Sequence, residues 1–537
     1  MEIKMKIALV ISLGGDLVRS TEHLGIAYIA AILREHSYQV DIYEIEEKNI
    51  VHKSTYDNLL HNNYDIVGFT TTCITMKNII AISAIIKEES PSSYILYGGH
   101  MATFTGAKLL EEFQNVDFSI IGEGENTFLE LVRCLENKGD LATVKGLIYR
   151  NAGKVCVNEG RELIENLDLL PFPVRDQFER YGSKAQYIRI STSRGCLGSC
   201  GFCSNFVGRK QKGARWRGRS PINVVDEIET LVNKYSFRTF DFVDSTFEDP
   251  GKEGKERIRQ IAQEILNRNL TIFYNCCFRA ENWSLEDSDL LELLCKSGLE
   301  KVNIGFEAGN NRGLKLLNKN AVLDDNYQVI HILKKYPQIY LTFGFIMLHP
   351  YSNLQDIKDN ADFLHNTGFG QVIRHYFWRL EVYPGTLFEF NLQRDKLLDK
   401  SYNIDDGMYK YHFQNREVAF LEPIFENMLS LKSVWDFEIF DILVHTFITR
   451  LQKKYKSEPV VERINEFSEF VKKIRLEMTD FNYLFFLSIL EEGQNCDIEQ
   501  KKADLNNYIL DKMHNIKKRQ YLLGKELTRQ GFKLDIK

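Results

Sequence analysis

Proline is scarce, at 10 of 537 residues, which excludes long proline-rich linkers; with aromatics at 12% the composition favours packed elements. Neither sign of charge dominates. Lysine and arginine total 68 against 74 aspartates and glutamates, a net charge of −6, so there is no electrostatic case for nucleic acid as the main partner. No run approaches the roughly 20 apolar residues that a bilayer span requires. The apolar runs at 7–12 and 485–490 have the length of a strand or a buried helical turn. The opening MEIKMKIALVIS meets Gly14 and Gly15 too soon for a signal peptide and has no small-residue cleavage site. It reads as a first β-strand, and the protein as cytoplasmic. Ten cysteines in so long a chain do not make a disulfide framework.

At about 150 residues per domain the length predicts three or four domains. Residues 1–150 alternate strand patterns (7–12, 39–44, 64–70, 93–98, 118–122) with helical ones, which predicts a parallel, doubly wound α/β sheet. Ligands of such sheets bind at the carboxyl ends of the strands. Those ends carry Ser12 and Leu13 before Gly14, then Thr70, Thr71 and Thr72, then Gly98, Gly99 and His100, with Thr103 just beyond, and finally Gly122, Glu123, Gly124 and Glu125. Small residues there let a ligand approach the backbone closely; the alternative is a set of ordinary βα turns. Residues 151–185, with Pro171 and Pro173, read as a connector. A second βα series fills 186–400, with strands at 188–191, 239–243, 272–276, 302–306, 340–346 and 372–377. It predicts a partial (β/α)6 barrel. Across 401–537 only helical periods remain, at 430–454, 460–478, 480–492 and 497–518, giving an α-helical C-terminal domain.

Three cysteines fall within eight residues: Cys196, Cys200 and Cys203, spaced C-x3-C-x2-C on a glycine-rich loop directly after a strand. Glycines let three thiolates converge while backbone N–H groups face the sulfurs. Electron-transfer clusters use four cysteines. Three leave one metal position open, as a catalytic site requires. A structural zinc would need a fourth ligand, and within 60 residues on either side the sole further Cys or His is Cys156. Coincidence is the other alternative.

The loop, with Phe202 just before its last cysteine, resembles the cluster-binding signature of the radical S-adenosylmethionine superfamily. The resemblance implies a 4Fe–4S cluster held by Cys196, Cys200 and Cys203. Its open iron would chelate S-adenosylmethionine, whose one-electron cleavage yields a 5′-deoxyadenosyl radical. Asp244 and Ser245 end the second barrel strand, Arg279 the third and Glu307, in Gly305-Phe306-Glu307-Ala308-Gly309, the fourth. With Phe202 these four resemble the family's S-adenosylmethionine contacts. Many relatives have two acids at 244–245, so Ser245 departs from the pattern. For Arg279 and Glu307 the alternative is a barrel-rim ion pair. Tyr383-Pro384-Gly385-Thr386 resembles the family's Y-P-G-T.

Residues 1–150 resemble the cobalamin-binding domain that precedes this barrel in one large subfamily. The matching stretches are 23–28 (HLGIAY), 64–68, 98–103 (GGHMAT), 122–125 (GEGE) and 169–173. The resemblance implies that the strand-end residues named above hold cobalamin, with Gly99 and Gly122 the best levers for blocking it. The D-x-H-x-x-G motif, whose histidine replaces the lower axial base of cobalt, is absent: none of His23, His36, His52, His61 and His100 has aspartate two residues earlier. His100 is expected near the cofactor's edge rather than on the metal.

The leading expectation is a cobalamin-dependent radical S-adenosylmethionine enzyme that methylates an unactivated carbon. One S-adenosylmethionine would supply the methyl by way of cobalamin and a second would generate the radical. Cyclisation or rearrangement without methyl transfer is the same-architecture alternative. Methylthiotransfer would need a second cluster from Cys73, Cys134 and Cys156, and Cys156 falls in the connector. A non-catalytic cobalamin-binding sensor leaves the three-thiolate loop unexplained. The expected partners are a small-molecule or peptide substrate, with a lipid also open, and an electron donor such as flavodoxin or ferredoxin. The basic run 208–219 reads as a solvated loop whose last arginines support the barrel.

Overall fold

The computed structural model describes residues 4–13, 22–46, 56–182, 185–204, 211–399, 402–456, 458–530 and 532. Gly14 and Gly15 and the start of the basic run, 208–210, lie outside them. The chain forms two compact units, Met1–Ile272 with Glu381–Lys410, and Phe273–Leu380 with Tyr411–Lys537.

The first unit opens on a seven-stranded sheet. Its strands are β1 (Lys6–Leu13), β2 (Gln39–Glu46), β3 (Ile66–Thr70), β4 (Tyr94–Gly98), β5 (Phe118–Ile120), β6 (Leu147–Asn151) and β7 (Lys154–Val157). The spatial order is β2-β1-β3-β4-β5-β6-β7. The first five strands in that order are parallel, as the alternating pattern predicts. β6 and β7 add on antiparallel, so the sheet takes in the first residues of the predicted connector. Every residue of β3 is buried, as expected of a strand covered on both faces. Helices Leu24–Glu35 and Glu125–Glu136 pack Ile26, Leu33, Phe128 and Leu131 against Leu9 and Ile120 on one face. Helices Met76–Glu89 and His100–Glu112 pack Ile79, Ile82 and Leu109 against Val10 and Phe69 on the other. The order reverses at β1, between β2 and β3, so a crevice opens past the carboxyl ends of β1 and β3.

The same unit continues with β8 (Ile188–Ile190) and β11 (Thr239–Phe242), which pair in parallel. Between them β9 (Ser193–Gly195) and β10 (Trp216–Gly218) form an antiparallel hairpin that encloses the cysteine loop. The second unit holds the parallel strands β12 (Phe273–Phe278), β13 (Leu299–Glu307) and β14 (Tyr340–Phe345). Five of the six expected barrel strands therefore form. The sixth, expected at 372–377, does not: Arg374–Phe377 is a helical turn, and pairing there shrinks to an isolated Leu348–Arg379 bridge. A short apolar run is ambiguous between strand and buried helix, and His375, Tyr376 and Phe377 are consecutive yet all buried, as a fully enclosed helical turn permits.

The C-terminal region is helical, as expected: Lys432–Lys454, Glu458–Glu492 and Ile498–Arg529. The break expected near 479 is missing. Met478, Thr479 and Asp480 include no glycine or proline, and Thr479 returns its hydroxyl to Arg475 O at 2.9 Å. Buried Asp441 accepts from Tyr340 (2.7 Å) and Arg475 (2.8 Å), tying two of these helices to β14. No helix among the described residues is long and apolar enough to cross a membrane.

Candidate functional site

Past the ends of β1, β3, β4 and β5 lies a cavity of about 570 Å³, wholly within the first unit. Its floor is apolar, from Leu9, Ile29, Leu96, Ile120 and Phe128. The strand-end loops are stitched to one another. Thr71 donates its N–H (2.7 Å) and hydroxyl (2.8 Å) to Gly98 O and accepts from Ala102 N–H at 3.0 Å. Thr103 donates to Gly99 O (2.8 Å) and accepts from Gly122 N–H (3.0 Å). Gly99 sits at φ +94°, and a Cβ there would lie 2.9 Å from Thr71 O, so this position requires glycine.

Of the residues proposed at these strand ends, Thr70, Thr72, Gly98, Gly99, His100 and Thr103 line the cavity, as does all of 122–125. Thr71 is fully buried and serves the turn instead. Ser12 is buried beneath the strand end, and its hydroxyl has no partner among the described residues; Leu13 closes β1. His23, absent from the residues singled out for this site, also lines the wall. Its Nε2 meets Thr70 Oγ1 at 3.1 Å and its Nδ1 caps the helix Leu24–Glu35 by accepting from Ile26 N–H at 3.5 Å. Burial pushes its pKa down to about 4, and burial lowers that of His100 as well, so both imidazoles are neutral at pH 7.

The opposite wall comes from the β9–β10 hairpin, with Cys196 and, past β11, Ser245. The loop is bent by Gly195 at φ +92°, where a Cβ would strike Arg215 O. Gly198 N–H donates to Cys196 Sγ at 3.2 Å. A Cβ on Gly198 would stand 3.2 Å from Cys196 Sγ and 3.9 Å from Cys200 Sγ, so these two sulfurs close on one glycine. Phe202, Cys200 and Cys203 are on the same loop but not in the cavity wall. Asp244 is not in the wall either. It is buried and accepts from Thr192 N–H (2.7 Å), Ser193 N–H (2.9 Å) and the Thr192 hydroxyl. Burial raises its pKa, with Arg257 opposing. Asp249 accepts from Leu197 N–H at 3.1 Å, a second anchor of the loop. Two residues past the Y-P-G-T segment, Phe388 N–H donates to Gly201 O at 3.0 Å, a further tie to the loop.

The two walls are joined by charge. Glu123 accepts from Arg194 (3.1 Å) and Arg217 (2.9 Å), and Glu125 accepts from Arg194 (2.7 Å). Arg217 and Arg219 end the basic run, and Arg219 pairs with buried Glu227 at 2.5 Å, so the run's last arginines support the fold as expected. The sequence alone carries no signal for Glu123 and Glu125 meeting arginines some 70 to 94 residues away.

Arg279 and Glu307 belong to the second unit. Arg279 grips Glu281 through Nε (3.0 Å) and Nη2 (2.5 Å). Glu307 ends β13 at φ +63°, with a register shift beside it. Its carboxylate lies against Gly305 and Gly344, and Lys319 Nζ stands 3.9 Å away. Burial raises its pKa, with Lys319 opposing. A left-handed backbone at a bulky, partly buried residue is costly.

The B12 binding domain family model matches residues 9–132, and the Radical SAM superfamily model matches residues 190–364. An uncharacterized methyltransferase of Pyrococcus horikoshii is 27% identical over 404 residues, 74% of this chain and 85% of that protein. An anaerobic magnesium-protoporphyrin IX monomethyl ester cyclase of Synechocystis is 27% identical over 275 residues, 50% of this chain and 53% of that protein. Among solved structures, the cobalamin-dependent S-adenosylmethionine radical enzyme OxsB, with aqua-cobalamin and S-adenosylmethionine bound, superposes with a TM-score of 0.66 at 18% identity. The match covers 98% of this chain and 80% of that one, a likeness of fold.

Proposed function

Because the chain belongs to the radical S-adenosylmethionine enzymes that carry a B12-binding domain, we propose that it methylates an unactivated carbon of its substrate. The observation that carries this reading is one cavity whose wall contains both the strand-end loops of the B12-binding domain and Cys196.

The residues fit both groups. A corrinoid needs apolar floor, short residues at its edge and polar atoms to meet its side-chain amides. Here these are Leu9, Leu96 and Phe128, then Gly98 and Gly124, and the polar wall residues Thr72, His100 and Gln211. For the cluster, Cys196 and Cys200 close on Gly198, with a backbone N–H already on sulfur. No group of three His, Cys, Asp or Glu among the described residues is arranged for a single metal ion. A cubane gives each thiolate its own iron, so Cys196, Cys200 and Cys203 need not meet at a point.

When bound, the cluster with S-adenosylmethionine supplies the radical and cobalamin carries the methyl group. The chain's own residues hold and orient. Asp244 fixes the backbone ahead of Cys196, and Ser245 lines the cavity. We assign Arg279 and Glu307 to S-adenosylmethionine, with Phe202 packing beside the cluster. Both ring nitrogens of His23 are engaged, so His23 holds Thr70 and the helix start. His100, Thr70 and Thr72 border the corrinoid, and so do Thr103 and 122–125. An electron donor of the flavodoxin or ferredoxin kind would supply the electron, in the cytoplasm.

The relative named as a cyclase supports ring formation as the second reading. Turnover with S-adenosylmethionine labelled in its methyl group, on candidate substrates from the neighbouring genes' pathway, separates the two. Methylation predicts a product heavier by one labelled methyl, with one S-adenosylhomocysteine and one 5′-deoxyadenosine formed per product. 5′-Deoxyadenosine with an unmethylated, rearranged product would establish the second reading instead.

A further inference from the structure

Glu123 lies between Gly122 and Gly124, just past β5, on the cavity's sheet wall. Its Oε1 accepts from Arg194 Nη1 (3.1 Å) and Arg217 Nη1 (2.9 Å), and its Oε2 from Arg217 (3.0 Å) and Ile164 N–H (2.7 Å). Arg194 stands two residues before Cys196 and faces Arg217 across the β9–β10 ladder. Two arginines on one rung of the hairpin that carries the cluster loop thus clasp a single carboxylate of the B12-binding domain. Glu125 takes the other end of Arg194, and the Tyr28 ring lies 5.0 Å from that guanidinium.

We propose that Glu123 is a positioning residue that couples corrinoid occupancy to the geometry of the cluster loop, acting through Arg194 and Arg217. This rests on the reading that cobalamin fills the cavity.

The physical basis is the water these charges still touch. The side chains of Glu123, Arg194 and Arg217 are 15%, 18% and 6% exposed, and all three line the cavity. A large ligand there displaces that water and lowers the local dielectric. The ion pairs then strengthen and hold the hairpin against the turn 122–125. The reverse holds by linkage: a cluster on Cys196 fixes the hairpin, which fixes Glu123 and the glycines beside it that border the corrinoid. Glu125 touches one arginine of the pair and Glu123 touches both, so Glu123 carries most of the effect.

The test is the dissociation constant of hydroxocobalamin for the full chain with and without its reconstituted cluster, in the wild type and in Glu123→Gln. The wild type should bind at least about fivefold more tightly when the cluster is present, the lower end of usual coupling. In Glu123→Gln the ratio should fall to near one while iron content is unchanged. A structural role alone would weaken both affinities and leave the ratio intact, and that result overturns the proposal. So does a wild-type ratio of one. A wild type that binds no cobalamin in either state overturns the corrinoid reading and the proposal with it. Arg217→Gln removes the charge that a single nitrogen, Nη1, sets against both Glu123 oxygens. It should lower the ratio too, and where Glu123→Gln does not fold, an unchanged ratio in Arg217→Gln overturns the proposal in its place.

Discussion

The sheet wall of the cavity offers a ligand room, whereas the cysteine loop offers it bonds, and the two are specified in different ways. Along β1, β3, β4 and β5 the recognisable features are absences: no side chain at Gly98, Gly99, Gly122 and Gly124, and short ones at Thr70 and Thr72. Recognition by shape is spread over many weak contacts and tolerates change at any one of them. On the loop, the cluster we propose would hang on three thiolates at a fixed spacing. Everything else there, from Asp244 and Asp249 to the Gly195 bend, holds the backbone that carries them. The first kind of site is read from a pattern of small residues and the second from three positions.

The sharpest way to break that contrast is to remove the bonds. Replacing Cys196, Cys200 and Cys203 together by alanine should abolish the iron–sulfur absorbance and all cleavage of S-adenosylmethionine, while cobalamin still binds. Continued formation of 5′-deoxyadenosine by this variant would refute the cluster assignment.

Removing the room should have a graded effect. Gly99, the lever that the sequence suggests, proves a poor probe: its Cβ would face Thr71 O at φ +94°, so a substitution there disrupts the turn itself. Gly98 is better. It lines the cavity, and the nearest atom to its Cβ is Phe69 O at 3.9 Å. Gly98→Trp should keep its cluster and weaken cobalamin binding about a hundredfold, the upper range for overfilling a packed space. Equilibrium dialysis of the purified variant measures this, and an unchanged affinity would place the corrinoid elsewhere.

Much of this was legible from sequence because it is local. βα alternation gives the sheet, and C-x3-C-x2-C after a strand gives the loop. The failures share a cause, which is that long-range packing decides. The run 372–377 has strand-like composition, but consecutive buried side chains suit a covered strand and an enclosed helical turn alike, and packing decides for the turn. Thr71 and Asp244 look like ligand-facing polar residues, yet the Thr71 hydroxyl is engaged by Gly98 O and Ala102 N–H, and the Asp244 carboxylate by two backbone N–H groups and the Thr192 hydroxyl. His23 stood in a recognised stretch, HLGIAY, and its role shows once β3 brings Thr70 to within 3.1 Å of it. The glutamates at 123 and 125 were placed at the right strand end, but their arginine partners come from a hairpin whose position no local pattern encodes.

The smallest expected effect separates the walls by pH. The sheet wall carries His23 and His100, and no histidine lies between residues 101 and 330, so the hairpin wall has none. Burial holds His23 at about 4, against about 6.5 for an exposed imidazole. Between those values the unfolded chain binds a proton that the folded chain does not. Stability contributed by this group is therefore intact above about pH 6.5 and falls as the pH drops toward 4, by about 1.4 kcal/mol per pH unit at most. From pH 7 to pH 5 the loss is about 2 kcal/mol. Asparagine is a favoured helix cap, so His23→Asn keeps an acceptor for the Ile26 N–H and removes the titration. Urea unfolding at pH 7 and pH 5 should show the wild type losing more stability than His23→Asn by about that 2 kcal/mol, with the two close at pH 7. Equal losses would mean that His23 is protonated in the folded state at pH 5, and that the sheet wall is wetter there than its apolar floor implies.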